Sequence, residues 1–97
     1  MAAYLVAHIE VTDPRKFDEY RAAVPAVIKK YGGRYVVRGG AIENVENDIG
    51  VSRLTIVEYP DMETARRFYS SDEYAPLLAI RKASTNSSLA FVEGYEP

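Results

Sequence analysis

Nine residues near the start of the chain alternate without a break. Leu5, Ala7, Ile9 and Val11 fall on one side of an extended backbone, and Tyr4, Val6, His8 and Glu10 on the other. A period of two over Ala3–Val11 is a β-strand with one wholly apolar face and one mixed face. This constrains the fold more than any other feature, because the apolar face needs a cover and the mixed face needs a different neighbour. The next segment is a suitable cover. Asp13 can cap a helix and Pro14 suits its first position. Phe17, Tyr20, Arg21, Val24, Val27, Ile28 and Tyr31 then recur at helical spacing. Pro25 lies inside that run and removes a backbone donor, which predicts a kink. Gly32-Gly33 supplies the stop.

The rest of the chain repeats this logic. Arg34 to Arg38 reads as a second strand, with Tyr35 and Val37 on one side and Arg34, Val36 and Arg38 on the other. Residues 41–50 are polar and irregular, an exposed connection. Ser52 to Tyr59 is a third strand, and either of its faces suits a core. Asp61 caps a second helix with Met62, Ala65, Phe68 and Tyr69 as its stripe. Ser70-Ser71-Asp72 interrupts it, and Asp72 is expected to cap a further segment carrying Tyr74, Leu77, Leu78 and Ile80. Asn86 to Gly94 is the last strand. The order β-α-β-β-α-β predicts a single α+β domain over residues 1–97. Its ferredoxin-like fold is a four-stranded antiparallel sheet with helices on one face. The open face is semi-apolar, with Tyr4, Val6, Val36 and some of Leu54, Ile56, Leu89 and Phe91. Two such faces packed together make a barrel shared by two subunits, so the expected partner is a second copy. A chain of 97 residues also has only a modest core of its own.

Composition removes several function classes. There is no cysteine, hence no disulfide framework, thiolate metal site or cysteine catalysis. Net charge is −2, and Lys29-Lys30, Arg66-Arg67 and Arg81-Lys82 are scattered pairs. No strong field favours nucleic acid or an anionic membrane. The third strand lacks the aromatic pattern with which the RNA-recognition version of this topology stacks bases. No phosphate-binding or dinucleotide glycine motif is present. The first residues have no basic region, and their apolar run ends at His8, unlike a secretory leader. The expected setting is the cytoplasm, with no nucleic-acid or membrane partner.

Four stretches together resemble a known family. They are Val11-Thr12-Asp13-Pro14 with Tyr20; Tyr31-Gly32-Gly33-Arg34-Tyr35 running into Arg38-Gly39-Gly40; Arg53 through Glu58-Tyr59-Pro60; and Phe68-Tyr69-Ser70-Ser71-Asp72-Glu73-Tyr74 with Arg81, closing at Val92-Glu93-Gly94. The chain resembles the DUF1330 family, a domain of unknown function within the dimeric α+β barrel superfamily. That superfamily also holds cofactor-free monooxygenases, dechlorinases and muconolactone-isomerase-like enzymes. The resemblance implies the fold, a dimer and no cofactor. One stretch departs from it: a Leu-Glu-Gly-like turn before the third strand is replaced here by Asn44-Val45-Glu46-Asn47-Asp48-Ile49-Gly50, which alters the rim of any pocket.

His8 is the only histidine, and strand alternation puts it on the mixed face. It is a candidate proton carrier, or a hydrogen-bonded spacer in a dimer interface. His8 and Glu10 alone are too few ligands for a metal, so none is expected. Arg38, before Gly39-Gly40, suits a carboxylate or enolate oxygen; the alternative is an ion pair with Glu58 or Glu93. Glu58, in a central strand, needs a partner. If its side of the strand faces inward, His8, Arg38 and Glu58 form an acid-base-cation set. Tyr4, Tyr69, Ser71 and Tyr74 are candidate ligand contacts, the last three around the helix break. Ser70-Ser71-Asp72 also reads as an ordinary stop and cap. The function expected is a small homodimeric barrel, a cofactor-independent enzyme on an aromatic or lactone-like metabolite. The alternative is a non-catalytic binding or assembly dimer.

Overall fold

A computed structural model describes residues 1–97. The elements are β1 (Ala3–Val11), α1 (Pro14–Lys30), β2 (Arg34–Arg38), β3 (Leu54–Tyr59), α2 (Met62–Tyr69), α3 (Ala75–Ser84) and β4 (Thr85–Glu93). The four strands form one antiparallel sheet in the order β2-β3-β1-β4. This is the ferredoxin-like order, with β1 and β3 central. No helix is long and apolar enough to cross a membrane.

The alternation in β1 does what its pattern predicts. Ala3, Leu5, Ala7 and Ile9 are buried, while Tyr4, Val6 and His8 are half-buried on the opposite face. Helix α1 begins where Asp13 accepts a hydrogen bond from the Lys16 amide at 3.2 Å, with Pro14 in its first turn. It presents Phe17, Tyr20, Val24 and Ile28 to the sheet. Asp61 caps α2 through the Thr64 amide at 2.7 Å. Phe68 of α2 lies at the centre of an aromatic cluster, 4.5 Å from the Tyr74 ring and 5.6 Å from the Tyr59 ring by centroid. Gly33 lets that cluster close. A Cβ there would sit 2.7 Å from the Tyr59 ring and 2.8 Å from Ile28, closer than packed carbons approach.

Helix α1 passes through Pro25 as one helix, not two. Some other expectations need correction. Asp72 does not cap α3: the helix starts after Tyr74 with no side-chain cap. Ser71 works there instead, donating to the Phe68 carbonyl at 2.7 Å and accepting from the Tyr74 amide at 3.2 Å. Leu89 and Phe91 lie on the helix-covered face, because they pair with Ala7 and Leu5.

The ambiguous third strand is resolved by register. Glu58, Ile56 and Leu54 pair with Tyr4, Val6 and His8 and share the open face. Val57 and Tyr59 are buried under the helices. In β2 the register shifts between Tyr35 and Val37, a bulge at Val36. One extra residue moves everything after it to the other face. Arg34 pairs with Glu58 on the open side, but Arg38 pairs with Thr55 on the helix side. The alternation that grouped Arg38 with Arg34 and Val36 is therefore overturned.

Candidate functional site

A cleft lies between α1 and the sheet. Its floor is a row running straight across the strands: Arg38 of β2, Thr55 of β3, Ala7 of β1 and Leu89 of β4 are successive pairing partners, and all four line it. Two of the four are short, which leaves space where longer side chains would fill the layer. The roof is the buried side of α1, with Phe17, Tyr20 and Val24. The cleft itself holds about 40 Å³, room for a few water molecules. Outside it, Arg21, Arg38 and Arg53 frame an open vestibule of about 350 Å³.

Each guanidinium there has a local cause. Pro25 has no N–H, so the Arg21 carbonyl four residues earlier loses its helical donor. Arg38 Nη2 replaces it, donating to that carbonyl at 2.9 Å. The same guanidinium lies 4.7 Å from the centre of the Tyr35 ring, a cation–π contact. Arg53 lies 5.4 Å from the centre of the Phe17 ring. Arg81 comes from α3 at the inner end and is only 4% exposed. Its Nε donates to the Tyr74 hydroxyl at 3.3 Å, and its Nη1 donates to Ser87 Oγ. The Tyr74 and Tyr20 hydroxyls are 2.9 Å apart.

No carboxylate lines this cleft. Arg21 has an exposed acid nearby, Asp18, at 3.8 Å. Arg38, Arg53 and Arg81 make no ion pair. A buried guanidinium without an acid is uncommon, since burying a charge is costly unless it is paired. Burial pushes the Tyr20 hydroxyl far above the ordinary tyrosine range, with neighbouring Tyr74 adding to the effect. Burial likewise raises Tyr35, against the opposing pull of Arg38. Both tyrosines therefore stay protonated and can donate. The cleft offers positive charge, hydroxyl donors and aromatic walls, and it holds no histidine or carboxylate to serve as a base.

The candidates chosen from the sequence fall in three places. Arg38 is at the cleft mouth, and Tyr74 supports Arg81 beneath it. Glu58 and Tyr4 are on the open sheet face, where Glu58 accepts from Arg34 Nε at 2.7 Å and from the Tyr4 hydroxyl at 3.1 Å. Those two hydrogen bonds, Arg34 first, hold the Glu58 carboxyl below its usual range. The Tyr4 hydroxyl is raised, chiefly by its bond to Glu58. His8 is on the same face but four residues along β1 from Tyr4, roughly 13 Å away. Its Nε2 accepts from the Ser52 amide at 3.2 Å, which puts the proton of a neutral ring on Nδ1. Tyr69 packs on Phe91 and Tyr74, and Ser71 is occupied in the helix break. His8, Arg38 and Glu58 are thus not brought together: the bulge puts Arg38 on the other face, and His8 and Glu58 lie at opposite ends of the β1–β3 pairing. Arg38 pairs with neither Glu58 nor Glu93. No three His, Asp or Glu side chains stand close enough to share a metal ion.

Sequence reasoning passed over Arg21, Arg53 and Arg81 as site residues. Arg81 had a signal: it follows Tyr74, Leu77 and Leu78 on the apolar stripe of α3, where an arginine is out of place. Arg53 shares strand parity with Thr55 and Val57. The Arg21 carbonyl was marked by Pro25.

No curated protein matches the sequence. Among solved structures, one similar chain is a protein of unknown function from Rhodopseudomonas palustris. It is 16% identical, with a TM-score of 0.76 over 99% of this chain and 84% of that one. A dimeric ferredoxin-like protein of unknown function from Jannaschia is 10% identical, with a TM-score of 0.72 over 97% and 100% of the two chains. SnoaB, a cofactor-independent oxygenase from Streptomyces nogalater, is 14% identical, with a TM-score of 0.65 over 99% and 95%. At these identities the likeness establishes the ferredoxin-like fold. The family follows from the sequence itself: the model of the domain of unknown function DUF1330 matches residues 2–95, and the chain belongs to that family.

Proposed function

We propose that the protein is a homodimer joined through its open sheet faces, with a site for a small organic anion in the arginine-lined cleft of each protomer. Its action there is to stabilise the anionic form of an ionisable substrate, such as an enol or a phenol, without a cofactor. One observation carries this reading: Arg21, Arg38, Arg53 and Arg81 surround an aromatic-walled cleft that contains no carboxylate. Guanidinium groups in a partly dry site favour a developing oxyanion. With no base in the lining, the substrate must be acidic enough to lose its proton once the field lowers its pKa. A structural relative that is a cofactor-independent oxygenase is consistent with such chemistry. His8 and Glu58 then serve the interface rather than the reaction.

The dimer reading rests on the open face. Val6, Leu54, Ile56 and Val92 lie there beside the Tyr4–Glu58–Arg34 network, and Val92 is 49% exposed. The molecule is a slab of 36 × 31 × 16 Å.

A chromophoric phenol tests the site. The absorbance of 4-nitrophenol, titrated with and without protein, should show an apparent pKa lowered on binding. Arg38→Ala should weaken that binding about 10- to 100-fold, as expected for losing a charged hydrogen-bond donor. Binding of the neutral phenol in preference to the phenolate would sink the reading.

A further inference from the structure

The mouth of the cleft differs from its interior. The interior has room for water alone, whereas the vestibule is an open space of about 350 Å³ lined by Arg21, Arg38 and Arg53 and by no apolar residue. Local bonds hold these side chains around one space. Arg38 Nη2 donates to the Arg21 carbonyl at 2.9 Å, which ties β2 to the turn of α1 that carries Arg21. The Gly39 amide donates to the Leu54 carbonyl at 2.8 Å, which sets Arg38-Gly39 beside Arg53-Leu54. Gly39 also makes the seat for Arg53: a Cβ there would stand 3.2 Å from Arg53 Cζ, and the backbone φ of +65° suits glycine. Two of the guanidiniums rest on aromatic rings, Arg38 on Tyr35 and Arg53 on Phe17. Contacts of this kind use the flat face and leave the N–H edge open. Each guanidinium has five N–H donors, and the bond from Arg38 to the Arg21 carbonyl is the only side-chain hydrogen bond that the three make. The one acid within 4.0 Å of any of them is Asp18, 3.8 Å from Arg21 and largely exposed. Three positive charges thus meet one negative charge, and two remain unanswered.

We infer that the vestibule binds a phosphate dianion, free or as the head of a phosphate monoester. A carboxylate carries one charge and is satisfied by a single guanidinium fork. A phosphate group carries about 1.5 to 2 negative charges near neutrality and offers three acceptor oxygens that point in different directions. It matches the two unanswered charges, and it matches three forks that arrive from a helix and from two strands. Arginine suits this task because its charge is permanent and its donors are set in a plane. The vestibule lies outside the cleft, so the phosphate needs no space among the packed residues between α1 and the sheet. The inference rests on the anion-site reading above and names the chemistry of the group held at the mouth.

Calorimetric titration of the intact protein with inorganic phosphate, phenyl phosphate, benzenesulfonate and benzoate tests it. Benzenesulfonate shares the tetrahedral shape of phenyl phosphate but carries one charge, and benzoate is planar. Phenyl phosphate should bind about 10-fold tighter than either, the effect of one further charged hydrogen bond. Either order of the two phosphates supports the site: tighter inorganic phosphate identifies the free ion as the ligand, and tighter phenyl phosphate identifies a monoester. Arg21→Ala and Arg53→Ala should each weaken phosphate binding about 10- to 100-fold. Arg21 is exposed on α1 and alanine keeps the helix, so its loss of binding is not a loss of fold. Asp18→Asn should strengthen binding by up to about five-fold, as expected for removing an exposed opposing charge. The wild-type comparison needs no variant. Phosphates that bind no tighter than benzoate would overturn the inference, and 4-nitrophenolate binding would still uphold the anion site. Phosphate binding untouched by both arginine variants would also overturn it. Absence of binding by all four probes and by 4-nitrophenol would overturn both.

Discussion

Arg34 and Arg38 are four residues apart on one short strand, and they live in opposite worlds. Arg34 is on the open face, where Glu58 accepts from its Nε at 2.7 Å. Its charge is answered. Arg38 is on the covered face, held by a helix carbonyl and a tyrosine ring. Its charge is not answered. The same contrast extends to the two faces of the sheet. The open face balances its acids and bases within a semi-apolar surface, as suits a protein interface. The covered face combines a dense aromatic core with a cleft in which Arg38, Arg53 and Arg81 make no ion pair. Satisfied charges specify geometry; the unsatisfied ones beside the cleft are what the proposed anion site rests on.

The largest effect should separate the two faces. Phe68→Ala deletes the centre of the aromatic cluster and should destabilise the protomer by about 3–5 kcal/mol in urea unfolding. Ile56→Asp, on the open face, should instead give a folded monomer in sedimentation, with its circular dichroism unchanged. A still-dimeric Ile56→Asp would show that the open face is not the contact.

A smaller effect concerns the answered charge. The folded Glu58 carboxyl lies below its usual range because Arg34, and then Tyr4, donate to it. A depressed folded pKa gives stability that is present above the unfolded carboxylate value and lost as pH falls through the folded value. The gap in melting temperature between wild type and Arg34→Ala should therefore be widest near neutrality. It should close as pH falls below about 4, the ordinary carboxylate range. A gap of constant size from pH 7 to pH 3 would contradict the assignment.

The smallest effect compares two buried hydroxyls. Tyr59 is fully buried and its hydroxyl has no hydrogen-bond partner. Tyr74 bonds both Tyr20 and Arg81. Tyr59→Phe should be neutral or slightly stabilising, whereas Tyr74→Phe should cost about 1–2 kcal/mol by removing a satisfied network. Equal losses on chemical denaturation would mean that Tyr59 has a partner too.

Much of the fold was legible in local pattern. Alternation in Ala3–Val11, the caps at Asp13 and Asp61, and the Gly32-Gly33 stop are short-range signals, and each appears where it was read. The sites were less legible. Asp72 looked like a cap because its residue type favours caps, but Ser71 made the hydrogen bonds. Arg38 was read with the wrong neighbours because parity assumes an unbroken strand.

The sequence by itself determined the element order, the helix-covered face of β1 and the family, since these depend on periodicity and residue type. Only the tertiary structure decided which face β3 turns inward, that β2 bulges at Val36, and that Arg21, Arg38, Arg53 and Arg81 meet around one cleft. The physical reason is that register is a pairing between strands. One extra residue in β2 costs little locally, yet it reverses the direction of every side chain beyond it.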